Sequence, residues 1–106
     1  MTGVQTCALP VDPDDLQAPL PDGIAAQTQA VFKNLTRIVA HCGYDLTDTA
    51  FARVYLTEFK RDYPGFNKVY QTYFPDDARL PGRTTVGVTG LARDALVEVD
   101  LVLWKG

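Results

Sequence analysis

From Ile24 onward, apolar side chains recur at Ile24, Val31, Leu35 and Ile38, with Thr28 and Cys42 on the same stripe. Steps of three and four residues mark one face of a helix. Phe32 and Val39 widen that face, whereas Gln27, Gln29, Lys33, Asn34 and Arg37 fall elsewhere and are expected in water. Asp22 can cap this helix and Gly43 can stop it. Between Asp48 and Thr57 the period shortens to two. Ala50, Ala52, Val54 and Leu56 then face one way, and Phe51, Arg53, Tyr55 and Thr57 the other. This predicts a strand with two unlike faces. Pro64-Gly65 marks a boundary, after which Phe66, Val69, Tyr70, Tyr73 and Phe74 predict a second helix. Two strands, Arg83–Thr89 and Ala95–Trp104, close the chain as a β-hairpin joined through Gly90–Asp94.

The order helix, strand, helix, strand, strand predicts an α+β domain, with both helices on one face of a mixed sheet. The other face would carry Phe51, Arg53, Tyr55, Arg83, Thr85, Glu98 and Trp104. Uncovered aromatics in such numbers point to a subunit interface.

Composition narrows the class. The chain has 106 residues, 46% hydrophobic and 22% charged, which suits one domain with one core. A net charge of −3 gives no bulk attraction to nucleic acid. No apolar run approaches the roughly 18 residues of a membrane span, and no basic-then-apolar signal opens the chain. Cys7 and Cys42 make no metal-ligand spacing with His41, so a reduced, cytoplasmic protein without metal is expected. Met1–Pro10 resembles the translated end of a common sequencing adapter, and is expected to be non-native. A short natural strand is the second reading. Val11–Gly23, rich in Pro and Asp, is loop chemistry. Residues 11–106 then form the single domain.

Arg83 and Glu98 stand out because they interrupt apolar strands. A guanidinium in such a setting is paired or awaits an anion. Arg83 follows a Pro-Gly turn and reads either as a clamp for a substrate carboxylate or as an interface salt bridge. Spacing alone favours the salt bridge. Glu98 reads first as an intersubunit ion pair. If Val86 and Val99 paired, both charges would share a sheet face about four residues apart, on the order of 13 Å, too far to touch within one subunit. Asn67 reads as a capping or loop residue at the start of the second helix, and Tyr70 and Tyr73 as core. There is no phosphate-binding glycine loop and no serine nucleophile elbow.

In order along the chain, Val11-Asp12-Pro13, Asp22-Gly23-Ile24-Ala25-Ala26-Gln27-Thr28, Phe66-Asn67-Lys68-Val69-Tyr70, Tyr73-Phe74, Arg83-Thr84-Thr85-Val86-Gly87-Val88 and Leu96-Val97-Glu98-Val99 resemble the reactive-intermediate deaminase (RidA/YjgF-like) family. The resemblance covers about Val11 to Leu103. It implies a chorismate-mutase-like fold and a homotrimer with sites in the clefts between subunits. It further implies hydrolysis of enamines and imines, 2-aminoacrylate in type, to a 2-oxo acid and ammonia, with no cofactor and no metal. Arg83 would grip the substrate carboxylate and Glu98 would stand beside the attacking water, with Asn67 and Thr85 near the substrate. Many members have cysteine at the position of Thr85. Set against the family, the first two strands are expected to be missing from this chain, with Met1–Pro10 in their place. The alternatives are a trimeric module that binds a small carboxylate without turnover, and a structural trimer pinned by its arginine.

Overall fold

The computed structural model describes residues 2–105; Met1 and Gly106, at the ends of the two segments read from the sequence, lie outside the described residues. Six main elements follow one another: β1 (Thr2–Ala8), α1 (Gly23–His41), β2 (Thr49–Leu56), α2 (Phe59–Tyr73), β3 (Gly82–Gly87) and β4 (Val97–Lys105). The strands form one sheet in the order β1-β4-β2-β3. β4 runs antiparallel to β1 and to β2, whereas β2 and β3 are parallel. A parallel pair needs a crossover, and α2 supplies it. The sheet is therefore mixed and the fold α+β, as expected.

The terminal hairpin is not formed. β2 lies between β3 and β4, so Val54 pairs with Thr85 on one side and Val99 on the other. The helix-facing rows are thus Arg83–Ala52–Leu101 and Thr85–Val54–Val99. Arg83 and Thr85 consequently lie on the helix side, not on the outer face. Glu98 pairs with Tyr55 and does lie on the outer face.

Helix α1 begins and ends where its stripe and glycine stop predict. Val31, Phe32, Leu35 and Val39 are buried against Ala52, Val54, Leu56, Val97, Val99, Leu101 and Leu103. Asp22 occupies the cap position without a side-chain bond to the helix. Cys42 is exposed. Gln27, expected in water, is buried: its amide donates to the Pro21 carbonyl at 3.0 Å and accepts from Leu96 N–H at 2.8 Å. It ties the incoming loop to the start of β4, which is why a polar residue is tolerated there.

Helix α2 starts at Phe59, five residues before the expected boundary, and carries Pro64 inside it. Pro64 is exposed, as is Lys60, whose carbonyl loses its usual donor to a ring without N–H. Asn67 is therefore mid-helix, not at a helix start. In β2, an irregularity between Thr49 and Phe51 breaks the alternation, so Thr49 is buried and Ala50 exposed. On the outer face, Phe51, Tyr55 and Val102 are half-buried, and Val86 and Trp104 are 40% and 47% exposed.

Candidate functional site

β3 is an edge strand, and its helix-side row puts Arg83 under α2. The guanidinium carbon lies 4.7 Å from the centre of the Tyr70 ring and 5.8 Å from those of Tyr63 and Phe66. Tyr63, Phe66 and Tyr70 are spaced three and four residues apart, so one stripe of α2 makes an aromatic tray for the cation. Arg83 Nη2 donates to the Tyr63 hydroxyl at 3.2 Å. The ion pairs among the described residues are Arg53–Asp100 and Arg61–Asp62, and neither involves Arg83. A half-buried guanidinium thus keeps its charge uncompensated and most of its five donors uncommitted.

Arg83 opens into a groove of about 590 Å³ between α2 and the approach to β3, whose walls include Asn67, Tyr70, Gln71, Phe74 and Asp77. Asn67 Oδ1 and Tyr70 OH, in its walls, and Thr85 Oγ1, farther along β3, are buried with no hydrogen-bond partner among the described residues. Unpaired buried polar atoms are costly and rare. Burial pushes the Tyr70 hydroxyl up, against a smaller opposing pull from Arg83, so it stays protonated and able to donate. The structure brings Arg83 and Asn67 to one groove, with Thr85 two residues along the same face of β3.

Glu98 is elsewhere. Ala52, the partner of Arg83, and Tyr55, the partner of Glu98, are three residues apart on β2 and point to opposite faces. Two strand spacings and three residues of rise separate Arg83 from Glu98 by roughly 14 Å between Cα atoms. On the outer face, Tyr55 OH donates to Asp100 Oδ2 at 2.8 Å, and Arg53 Nε lies 3.3 Å from the same oxygen. Asp100 is thereby satisfied. The Glu98 carboxylate has no described hydrogen-bond partner; burial first, then the charge of Asp100, pushes it up from the ordinary glutamate value. A carboxylate so placed holds a proton more readily than an ordinary glutamate, which suits general acid–base work. Cys7 Sγ and the Glu98 and Asp100 carboxylates lie within 4.8 Å of one another. Burial, then Glu98 and Asp100, push the Cys7 thiol up, away from the thiolate a metal would need.

The sequence profile of the family described as Endoribonuclease L-PSP matches residues 5–104. The chain belongs to this family. Within the L-PSP family it is 38% identical over 98 residues to a RutC family protein of Sulfurisphaera tokodaii, covering 92% of this chain and 75% of that one. It is 37% identical over 78 residues to the 3-aminoacrylate deaminase RutC of Acinetobacter baylyi, covering 74% of this chain and 60% of that enzyme. The crystal structure of RidA from an Antarctic Psychrobacter superposes with a TM-score of 0.86 at 28% identity, over 97% of this chain and 80% of that chain. The resemblance to the RidA/YjgF-like proteins and the chorismate-mutase-like fold are both upheld.

Of the L-PSP site residues read from sequence, Arg83, Asn67 and Thr85 fall on one side of the sheet and Glu98 on the other. Sequence reasoning missed Tyr63 and treated Tyr70 as core alone. The signal was present, since Tyr63, Phe66 and Tyr70 continue a single helical stripe, but placing the helix start after Pro64 cut Tyr63 off from it.

Proposed function

We propose that this chain hydrolyses reactive 2-imino and 2-enamino acids to 2-oxo acids and ammonia, as a homotrimer with its sites between subunits. The observation that carries this reading is the uncompensated Arg83 guanidinium, held on an aromatic tray at the mouth of a groove. Its planar fork matches a carboxylate with two parallel hydrogen bonds. Glu98, its carboxyl pushed up by burial, suits the proton work of the hydrolysis. Water adds to the C=N carbon, with Glu98 taking its proton. That proton passes to the imine nitrogen, giving the carbinolamine, whose hydroxyl proton is then carried by way of Glu98 to the same nitrogen as the C–N bond breaks, releasing ammonia and leaving the 2-oxo acid. No cofactor or metal enters the proposed step.

Because Arg83 and Glu98 face opposite ways, one substrate meets both only where two protomers adjoin. The half-covered aromatics of the outer face suit such a seam. The 3-aminoacrylate deaminase RutC relative supports the reaction class. The family's endoribonuclease description finds less support here: the net charge is −3, and Asp77 shares the groove with Arg83, which is no track for a polyphosphate chain. No helix among the described residues is long and apolar enough to cross a membrane. With two unpaired cysteines, a cytoplasmic setting fits the proposal.

The test is release of ammonia and 2-oxo acid from freshly generated 2-iminobutanoate and 2-aminoacrylate. Turnover that disappears in Arg83→Ala supports the reading, and unchanged turnover in that variant rejects the site. Retention of 2-oxobutyrate without any ammonia release would identify the non-catalytic carboxylate-binding module instead.

A further inference from the structure

The Arg83 guanidinium has one described hydrogen-bond partner within the chain, and it is a neutral one. Its Nη2 donates to the Tyr63 hydroxyl at 3.2 Å. Tyr63 is itself fixed. Its ring stacks on Phe59 with centroids 4.9 Å apart and planes 17° apart. Phe59 in turn rests on β3, because a side-chain carbon added to Gly87 would lie 3.2 Å from Phe59 Cβ. The contacts therefore run from Gly87 through Phe59 and Tyr63 to Arg83, and return to the same strand four residues upstream. Strand and helix together set where the hydroxyl stands, and the hydroxyl sets one corner of the guanidinium.

We propose that Tyr63 is a positioning residue, which orients the Arg83 fork for a substrate carboxylate while leaving its charge intact. The inference rests on the reading of Arg83 as a carboxylate clamp. The chemistry of the partner is the point. An aspartate or glutamate at position 63 would orient the guanidinium equally well but would neutralise it, and would compete with any acid entering the groove. A phenylalanine would keep the stack and the tray and leave the fork free to swing. A phenol accepts one N–H and carries no charge, so the remaining donors face the groove ready for a second, anionic partner. The arrangement costs the substrate little rotational ordering of the side chain it binds.

The test uses the full chain and 2-oxobutyrate as the probe acid, with binding measured by calorimetry beside imine turnover. A hydrogen bond to a charged group is worth enough to change affinity about ten-fold or more. Tyr63→Phe should therefore weaken 2-oxobutyrate binding and raise KM about ten-fold, with kcat changed far less and the melting temperature unmoved. In nitrogen-15 spectra, the Arg83 side-chain N–H signals should exchange faster in Tyr63→Phe than in the parent, an effect that a purely structural tyrosine would not produce. Tyr63→Glu should bind the probe more weakly than Tyr63→Phe. If Tyr63→Phe binds like the parent, Tyr63 does not position Arg83, and the clamp reading still stands provided Arg83→Ala loses the probe. If Arg83→Ala binds as well as the parent, the clamp reading fails and this inference falls with it.

Discussion

Arg83 and Glu98 project from opposite faces of one sheet, with β2 between their strands. No rotamer change brings two side chains around a packed sheet, so joint action requires a second protomer. This makes subunit complementation decisive. Arg83→Ala and Glu98→Ala should each be inactive as pure assemblies. Refolded together in equal amounts, they should recover about a quarter of the parent activity, since a cyclic assembly drawn at random has both groups intact at one interface in four. Activity that never returns on mixing would place both groups in one chain's site and overturn the intersubunit arrangement.

The fork, and not the charge alone, is expected to matter at position 83. Arg83→Lys keeps the cation but presents a point charge with rotatable donors in place of a planar pair. Loss of one of two charge-assisted hydrogen bonds should lower kcat/KM on the order of ten- to a hundred-fold. Steady-state kinetics on imines of a 2-oxo acid check this. A lysine variant matching the parent would mean that the groove reads charge without geometry.

Much of this architecture was readable because its signals are local. The stripe from Ile24 to Val39 and the alternation of Val97, Val99, Leu101 and Leu103 each lie within one element, where side-chain direction follows from period. The position of β2 between β3 and β4 was not readable that way. Strand pairing is a long-range choice, and two successive strands joined by a turn look locally like a hairpin whether or not a third strand divides them. That single error moved Arg83 and Thr85 to the wrong face. The start of α2 was hidden for a different reason: Pro64 and Gly65 are strong breaker signals, but Pro64 sits on the exposed side of the helix and Gly65 lies close against Ile24 of α1. Tyr63, lying just before them, dropped out of the site as a consequence. Glu98 was placed on the outer face correctly because its own strand alternates cleanly.

Glu98 also sets a pH dependence. In the folded chain burial, then Asp100, holds its carboxyl above the ordinary glutamate value. The folded state thus keeps this proton longer than the unfolded state does. Its contribution to stability is full below the ordinary glutamate value and is lost as pH rises through the raised one. Glu98→Gln should therefore gain stability relative to the parent on going from pH 4 to pH 7, as read by urea unfolding at the two pH values. The acid limb of the kcat/KM profile should report the same raised ionisation, and Asp100→Asn should move that limb to lower pH. A limb that stays in place in Asp100→Asn would mean that another group governs it.

Gly82 precedes Arg83 and lies under the Phe51 ring: an added Cβ would stand 2.8 Å from Phe51 Cδ1. Gly82→Ala must displace that ring, and overpacking of this kind costs roughly 1–3 kcal/mol. The same displacement would disturb the neighbouring β3 backbone that aims Arg83. Chemical denaturation should show the loss, and Phe51→Ala introduced alongside Gly82→Ala should cost less than the sum of the two single changes. Strict additivity would show that the ring is not what excludes a side chain.

Arg93 and Asp94 adopt left-handed backbone conformations in succession, with φ of 62° and 54°. Two such residues without glycine are strained, each by on the order of 1–2 kcal/mol. Only one of them has an evident compensation. Arg93 donates to the Leu16 carbonyl at 2.6 Å and to the Ala18 carbonyl at 3.0 Å, tying the Pro- and Asp-rich loop to the turn before β4. Asp94 is exposed, and its side chain makes no described hydrogen bond. Replacement by glycine should therefore stabilise the fold at Asp94 and not at Arg93. Asp94→Gly relieves strain at small cost and should stabilise the fold by about 0.5–1 kcal/mol, even after the extra freedom glycine gives the unfolded chain. Arg93→Gly relieves the same strain but releases two carbonyls, and should be neutral or destabilising while raising hydrogen exchange across Leu16–Ala18. Equal effects at both positions would mean that the guanidinium contacts add nothing to the turn, and that backbone strain alone decides its stability.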